Sequence, residues 1–165
     1  MNYLKTFNEI NELVTTLNTY SWQKEEEKLN DRTILSVLYT FTTDNNENYE
    51  VLFRNYSSIS YGAKEKPYKW YRNFFTKEKS YSMTDTHDVY KVLSTISKIT
   101  ADFLNNYDVD ILTIEHIPTN REDINRNISN KRARVNKLFL QKYIPNEYEY
   151  KLKGSVSTIS KKQND

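Results

Sequence analysis

The most constraining feature of the sequence is a pair of alternating segments joined by a polar turn between residues 33 and 55. Every second residue of the first segment is large and apolar: Leu35, Val37, Tyr39 and Phe41. After the polar residues 44–48, the alternation returns in Tyr49, Val51 and Phe53. A period of two is typical of a strand with one buried face, and Asp and Asn favour a chain reversal. The pattern therefore predicts an antiparallel hairpin over residues 33–55.

Apolar residues at helical spacing predict three helices, at about residues 4–17, 85–106 and 130–143. Asp85 is placed to cap the second helix, because an Asp side chain accepts hydrogen bonds from the first free N–H groups. Pro145 ends the third helix, because proline cannot continue one.

Three further strands are expected. Within residues 109–117, apolar side chains occur at both odd and even positions, which is typical of an interior strand covered on both faces. Residues 147–153 alternate as in a half-exposed strand, and a further strand is expected within 68–83. The acidic run Glu25–Glu27 is interpreted as a solvated strand end or turn.

This order of elements predicts an α+β fold: a mixed, mainly antiparallel sheet, with an N-terminal helix and a C-terminal strand–helix–strand–helix–strand run packed on it. Without a repeat or a linker rich in Pro, Gly or Ser, residues 1–154 are expected to form a single domain. Residues 155–165 are expected to form a polar tail that frays after Gly154. No apolar run reaches the roughly 18–20 residues of a spanning helix, and the N-terminus does not resemble a signal peptide, so no membrane partner is predicted.

Composition argues against several chemistries. The absence of Cys excludes disulfides, thiolate metal sites and Cys nucleophiles. The only glycines are Gly62 and Gly154, whereas a loop that cradles phosphate needs several close together. The histidines, His87 and His116, belong to no metal-binding motif, and no serine lies in a nucleophile motif. We therefore assign no catalytic, cofactor-binding or metal-binding residue, and we predict no cofactor.

Two segments are candidates for interaction. Between residues 124 and 142 there is no Asp or Glu, but there are six cations: Arg126, Lys131, Arg132, Arg134, Lys137 and Lys142. Such a helix contacts an acidic protein or phosphates, or it is merely solvated. Between residues 64 and 81, lysines alternate with aromatic residues that include Tyr68, Trp70, Tyr71 and Phe74. Rings among cations suit a protein interface, and equally the stacking of single-stranded bases.

The second half of the chain also resembles a known group of proteins. It reads THDVYKVLSTI at 86–96, VDIL at 109–112 and KRARVNKLF at 131–139. This succession of amphipathic helix, buried strand and basic helix resembles a loose group of small, mostly uncharacterised tailed-bacteriophage proteins, over about residues 20–153. The chain departs from them in lacking a Gly before the first of these helices. The resemblance implies a virion component or a protein of the host cytoplasm, with other phage or host proteins as partners and a homo-oligomer in a particle.

The same half is similar to the C-terminal part of acetyltransferases of the GNAT fold. In those enzymes a glycine-containing loop at the start of the first helix holds the pyrophosphate of the cofactor. The corresponding stretch, Tyr81–Asp88, contains no Gly but does contain Asp85 and Asp88, whose charges repel a pyrophosphate. The similarity therefore implies a degenerate, GNAT-like fold that has lost its chemistry.

The function expected from the sequence is that of a non-catalytic phage protein acting through protein–protein contacts, as a ring, tail or capsid-associated component of the virion. One alternative is a GNAT-like acyltransferase that uses acetyl-CoA. The other is a host-directed inhibitor or nucleic-acid-binding protein that uses the basic helix 126–142.

Overall fold

The computed structural model describes residues 18–29, 33–55, 58–63, 86–115, 131–154 and 156–163. These residues form seven strands and two helices. The bounds are β1 Trp22–Leu29, β2 Thr33–Thr42, β3 Asn48–Arg54, β4 Ser58–Ala63, α1 Thr86–Asn106, β5 Ile111–Glu115, α2 Lys131–Tyr143, β6 Tyr148–Lys153 and β7 Val156–Lys161. The strands form one sheet in the order β1-β2-β3-β4-β5-β7-β6.

The predicted hairpin is confirmed as β2 and β3. Tyr39 lies opposite Val51 and Phe41 lies opposite Tyr49, so the apolar residues of both strands share one face. The turn is closed by a hydrogen bond of 2.9 Å from the Thr43 N–H to the Glu47 carbonyl. Asn46 has φ 61°, a left-handed conformation that Asn tolerates better than most residues.

The sheet is mixed and mainly antiparallel, which confirms the predicted α+β class. Of the strand pairs in the described residues, only β4 and β5 run parallel, and they share a single register pair, Ser58 with Thr113. All the other neighbours are antiparallel. The sheet is therefore continuous on either side of one weak parallel junction.

One face of the sheet is buried beneath α1. Phe103 of α1 stacks on Phe53 of β3 with the ring centroids 3.8 Å apart, and both rings are almost completely buried. Val37, Val51 and Ile159 extend this core across three strands. Burial of a large apolar side chain contributes about 1.5–3 kcal/mol, so this helix–sheet layer supplies most of the apolar stabilisation.

Polar contacts fix α1 against the first strands. The Tyr39 hydroxyl donates to Asp102 at 2.8 Å, and the Tyr107 hydroxyl donates to Glu26 on β1. Burial, together with the Asp102 carboxylate, raises the pKa of Tyr39 far above its usual range. These bonds set the position of β1, the edge strand, relative to the helix.

The second helix, α2, packs on α1 and above β6 and β7. Ala133, Phe139 and Leu140 are buried, and Tyr90 of α1 stacks on Phe139 with a centroid distance of 6.0 Å. Neither of these two helices has both the length and the apolar character of a membrane-crossing segment.

The C-terminal residues depart from the prediction. Residues 156–161 are not a fraying tail: they form β7, which pairs with β5 on one side and β6 on the other. Gly154 has φ 59°, a left-handed conformation that glycine adopts without cost, and it lies between β6 and β7. The prediction of a fraying tail after Gly154 is therefore wrong.

Two other expectations need correction. Strand β5 is not covered on both faces, since Ile111 is 53% exposed and only Leu112 and Ile114 are buried. The run Glu25–Glu27 is neither a turn nor a strand end, because it forms the middle of β1. The helix expected at 4–17 and the strand expected within 68–83 lie outside the described residues.

Replacing Ile159 with Ala tests the position of β7 between β5 and β6. Ile159 is completely buried, so Ile159→Ala is expected to lower the free energy of unfolding by about 2–5 kcal/mol. Thr158→Ala, on the opposite face, is the control and is expected to cost less than about 1 kcal/mol. Urea denaturation measures both, and equal small effects would mean that this segment is not packed in the sheet.

Candidate functional site

The outward side of α2 carries two of its cations, Arg134 and Lys137. Ala133, Asn136 and Leu140 face the interior, whereas Arg134 and Gln141 are exposed and Lys137 is half-buried. Arg134, Lys137 and Gln141 lie three or four residues apart, the spacing that places side chains on one side of a helix. The charge therefore covers the side of α2 that points away from the core.

Two more lysines extend this surface to the end of the helix. Lys98 of α1 and Lys142 of α2 each place their ammonium group 5.5 Å from the centre of the Tyr143 ring. A cation within about 6 Å of an aromatic centroid is attracted to the face of the ring. The Tyr143 hydroxyl lies 3.2 Å from the buried Ser94 hydroxyl, which fixes the ring. We call Arg134, Lys137, Lys142, Lys98 and Tyr143 the basic face.

The basic face has little internal charge compensation, because α2 contains no Asp or Glu. Within the described residues, Arg134 and Lys137 form no ion pair. The ion pairs there lie elsewhere, between Lys28 and Glu26, Lys91 and Asp44, Lys151 and Glu149, and Lys161 and Asp108. Arg134 and Lys137 therefore have no counter-charge among the described residues.

The residues predicted for interaction are only partly placed. Arg134 and Lys137 lie on the basic face, as described above. Lys131 and Arg132 belong to the first turn of α2. The other candidates lie outside the described residues: Tyr68, Trp70, Tyr71, Phe74 and Arg126. The structure thus does not test whether the two predicted segments meet.

Other side chains of types that could carry chemistry make structural contacts. Asp108 pairs with Lys161, and the hydroxyl of Ser94 lies against Tyr143. No three His, Asp or Glu side chains converge as metal ligands in the part of the chain that the structure describes. His87 belongs to the first turn of α1, and His116 lies outside the described residues.

Several polar side chains are buried where α1 contacts its neighbours, and the sequence did not reveal them. Thr95 accepts the Tyr20 N–H at 3.0 Å and donates to the Lys91 carbonyl at 2.8 Å. Ser97 and Asn136 are also buried, and they line a cavity of about 10 Å³ between α1, α2, β4 and β5. This cavity has room for about one water molecule.

At the other end of the sheet, β1 forms an acidic edge. Residues 23–28 are all exposed, and three of them are the consecutive acids Glu25, Glu26 and Glu27. The hydrogen bond from Tyr107 holds the pKa of Glu26 below its usual value, and the charges of Lys28 and Lys24 act in the same direction. The two ends of the sheet thus carry different charges: acidic at β1 and basic beside α2.

Comparison with protein-family models, curated proteins and solved structures found no match for the chain. The resemblance to phage proteins and the GNAT-like similarity therefore remain predictions from the sequence. What can be said of function depends on the surfaces described above.

The Glu26–Tyr107 contact predicts a pH effect. Because folding lowers the pKa of Glu26, its contribution to stability is complete above the ordinary value of 4.5 and is lost as the pH falls below it. Glu26→Gln should therefore flatten the loss of stability between about pH 5 and pH 3. Thermal unfolding across this range measures the slope, with Glu47→Gln as the control. Identical slopes for Glu26→Gln and the unmodified chain would contradict this account of the contact.

Proposed function

We propose that the chain is a non-catalytic binding protein that acts through protein–protein contacts, with the basic face as its docking surface for an acidic partner. The observation that carries this proposal is the lack of ion pairs at Arg134 and Lys137 within the described residues, next to Tyr143 with its two flanking lysines. A partner with carboxylates opposite these cations would supply the missing counter-charges.

The make-up of the basic face favours a protein over nucleic acid. Arg and Tyr are enriched in protein interfaces, where an aromatic ring adds apolar contact at little entropic cost. The row from Arg134 to Lys142 extends only about 12 Å along the helix. Proteins that bind duplex DNA through its backbone commonly neutralise six to ten phosphates, which needs a longer track of cations.

The biological setting that we propose is a phage particle, in which this protein is a ring, tail or capsid-associated component. The support is the resemblance of residues 86–96, 109–112 and 131–139 to small tailed-phage proteins.

Charge reversal on the basic face tests the docking surface. In a phage that carries Arg134→Glu and Lys137→Glu, the amount of this protein in purified particles should fall at least tenfold, which corresponds to about 1.4 kcal/mol of lost binding. Quantitative mass spectrometry of the particles measures this amount. The control is Arg54→Glu with Lys162→Glu, which changes the charge equally but lies outside α2 and outside both edge strands.

Two results would contradict the proposal. The first is that the protein is missing from particles of the unmodified phage. The second is that the double reversal is incorporated as well as the control. Tight, salt-dependent binding of a 30-nucleotide single strand, lost on the same reversal, would favour the nucleic-acid alternative instead.

A GNAT-like acyltransferase is the second candidate. The observation that favours it is the single register pair between the parallel strands β4 and β5, since ligands of open α/β sheets often bind where neighbouring strands diverge. The cavity of about 10 Å³ at this junction is far smaller than an acyl-carrying arm. Titration calorimetry with acetyl-CoA decides between the candidates: we expect no heat of binding at micromolar concentrations, and saturable binding would favour the enzyme.

A further inference from the structure

Both edges of the sheet are open within the described residues. Strand β1 forms one edge and β6 the other, so each pairs with a neighbour on one side only. An edge strand presents a row of unpaired N–H and C=O groups to any strand that approaches it. These edges can therefore accept a further strand.

The strand directions allow β1 of one copy to pair with β6 of another copy. From β1 to β4 the direction alternates, β5 keeps the direction of β4, and β7 and β6 alternate again. Strands β1 and β6 consequently run in opposite directions. When a second copy lies beside the first with its helices on the same side, its β1 meets β6 of the first copy in an antiparallel arrangement, which continues the sheet.

The side chains on these edges have opposite charges. On the face away from the helices, β1 carries Glu25 and Glu27, and β6 carries Lys151 and Lys153. In an antiparallel ladder that places Glu25 opposite Lys153, the two-residue repeat also places Glu27 opposite Lys151. Opposite charges that face each other across a strand pair are stabilising.

Pairing of β1 with β1 of a second copy is less favourable when the two strands are centred on Glu26. When two copies pair antiparallel about Glu26, Glu25 of each copy lies opposite Glu27 of the other, and Lys24 lies opposite Lys28. Like charges in directly opposed positions destabilise a strand pair. In this register, the charge pattern thus favours contact of β1 with β6 over contact of β1 with itself.

Within the described residues, only part of this charge is compensated. Glu27 accepts a hydrogen bond of 2.8 Å from Ser36, and Lys151 pairs with Glu149 at 2.6 Å. Glu25 and Lys153 form no ion pair within the described residues. The Glu25–Lys153 pair is therefore the main contact to test.

We infer that copies of this protein associate head to tail, with β6 of one copy adding to β1 of the next and with Glu25 and Glu27 opposite Lys153 and Lys151. This inference rests on the proposed function for its setting and deepens it, because it names a second copy of the chain as one partner. Repeated contact between two unlike surfaces builds a ring when the rotation from each copy to the next leads back to the first copy. It builds a filament when it does not.

Sedimentation velocity of the purified chain at low salt tests the association. The unmodified chain should form oligomers as its concentration rises. Two variants should each remain monomeric: Glu25→Lys with Glu27→Lys, and Lys151→Glu with Lys153→Glu. When the two variants are mixed, oligomers should return, because each edge of one then meets an edge of opposite charge on the other.

The matched control is Glu47→Lys with Glu115→Lys, which makes the same charge change away from both edges and should still associate. Circular dichroism checks that every variant is folded. A chain that stays monomeric at all concentrations would overturn the inference. Variants that associate unchanged, or that do not recover on mixing, would overturn it equally.

Disulfide trapping tests the register directly, since the chain contains no Cys of its own. Positions 25 and 153 lie at opposite edges of a seven-stranded sheet, about 29 Å apart in one chain. A disulfide between them must therefore join two copies, because it needs Cα atoms about 4.4–6.8 Å apart. A mixture of Glu25→Cys and Lys153→Cys chains should form a mixed dimer on oxidation, and each alone should form much less. Predominant cross-linking of Glu25→Cys to itself would show a symmetric contact instead and overturn the inference.

These measurements separate the inference from the proposed docking surface. The edge variants leave α2 unchanged, and the basic-face variant leaves both edges unchanged. If the unmodified chain did not associate head to tail but still entered particles normally, only the inference would therefore be refuted. If the control variant lost incorporation into particles and the basic-face variant did not, only the assignment of the basic face would be refuted.

Discussion

The packing of α1 across one face of the sheet is the contact on which the rest of the structure depends. Through Phe103 it stacks on β3, and through Asp102 it binds the Tyr39 hydroxyl of β2. Tyr107, just beyond its end, reaches the edge strand β1 by way of Glu26. Since α2 in turn packs on α1, this one helix sets the positions of both the acidic edge and the basic face.

The parts of the fold that could be predicted are those with long periodic patterns, such as the hairpin at 33–55 and the two helices. The sequence does not reveal β1, because the acids Glu25–Glu27 resemble a solvated turn, whereas an edge strand also tolerates such charges. The sequence of residues 156–161 resembles a tail because only two of them are large and apolar, although the preceding Gly-Ser pair is a recognised hairpin turn. The cations of α2 were visible as a run in the sequence. The place of Lys98 and Tyr143 on the basic face could not be predicted, because only the packing of the two helices brings these residues together.

The two edges of the sheet give the molecule two ends of different charge. The acidic residues of β1 lie at one edge of the sheet, and the lysines of β6 lie at the other, near the basic face of α2. Such polarity favours repeated contact in one direction over closed pairing of identical surfaces. In the proposed assembly, copies meet through β1 and β6, so the contact between copies does not use the basic face that we propose for a different, acidic protein.

Hydrogen–deuterium exchange of the purified chain at low and high concentration tests this account most directly. Amides that enter a strand pair exchange slowly, because they are hydrogen-bonded and shielded from water. The account predicts that exchange in residues 22–29 and 148–153 slows together as the concentration rises, while exchange in β2 and β3 stays unchanged. Edge strands that exchange equally fast at every concentration, or slowing of β1 without β6, would contradict it.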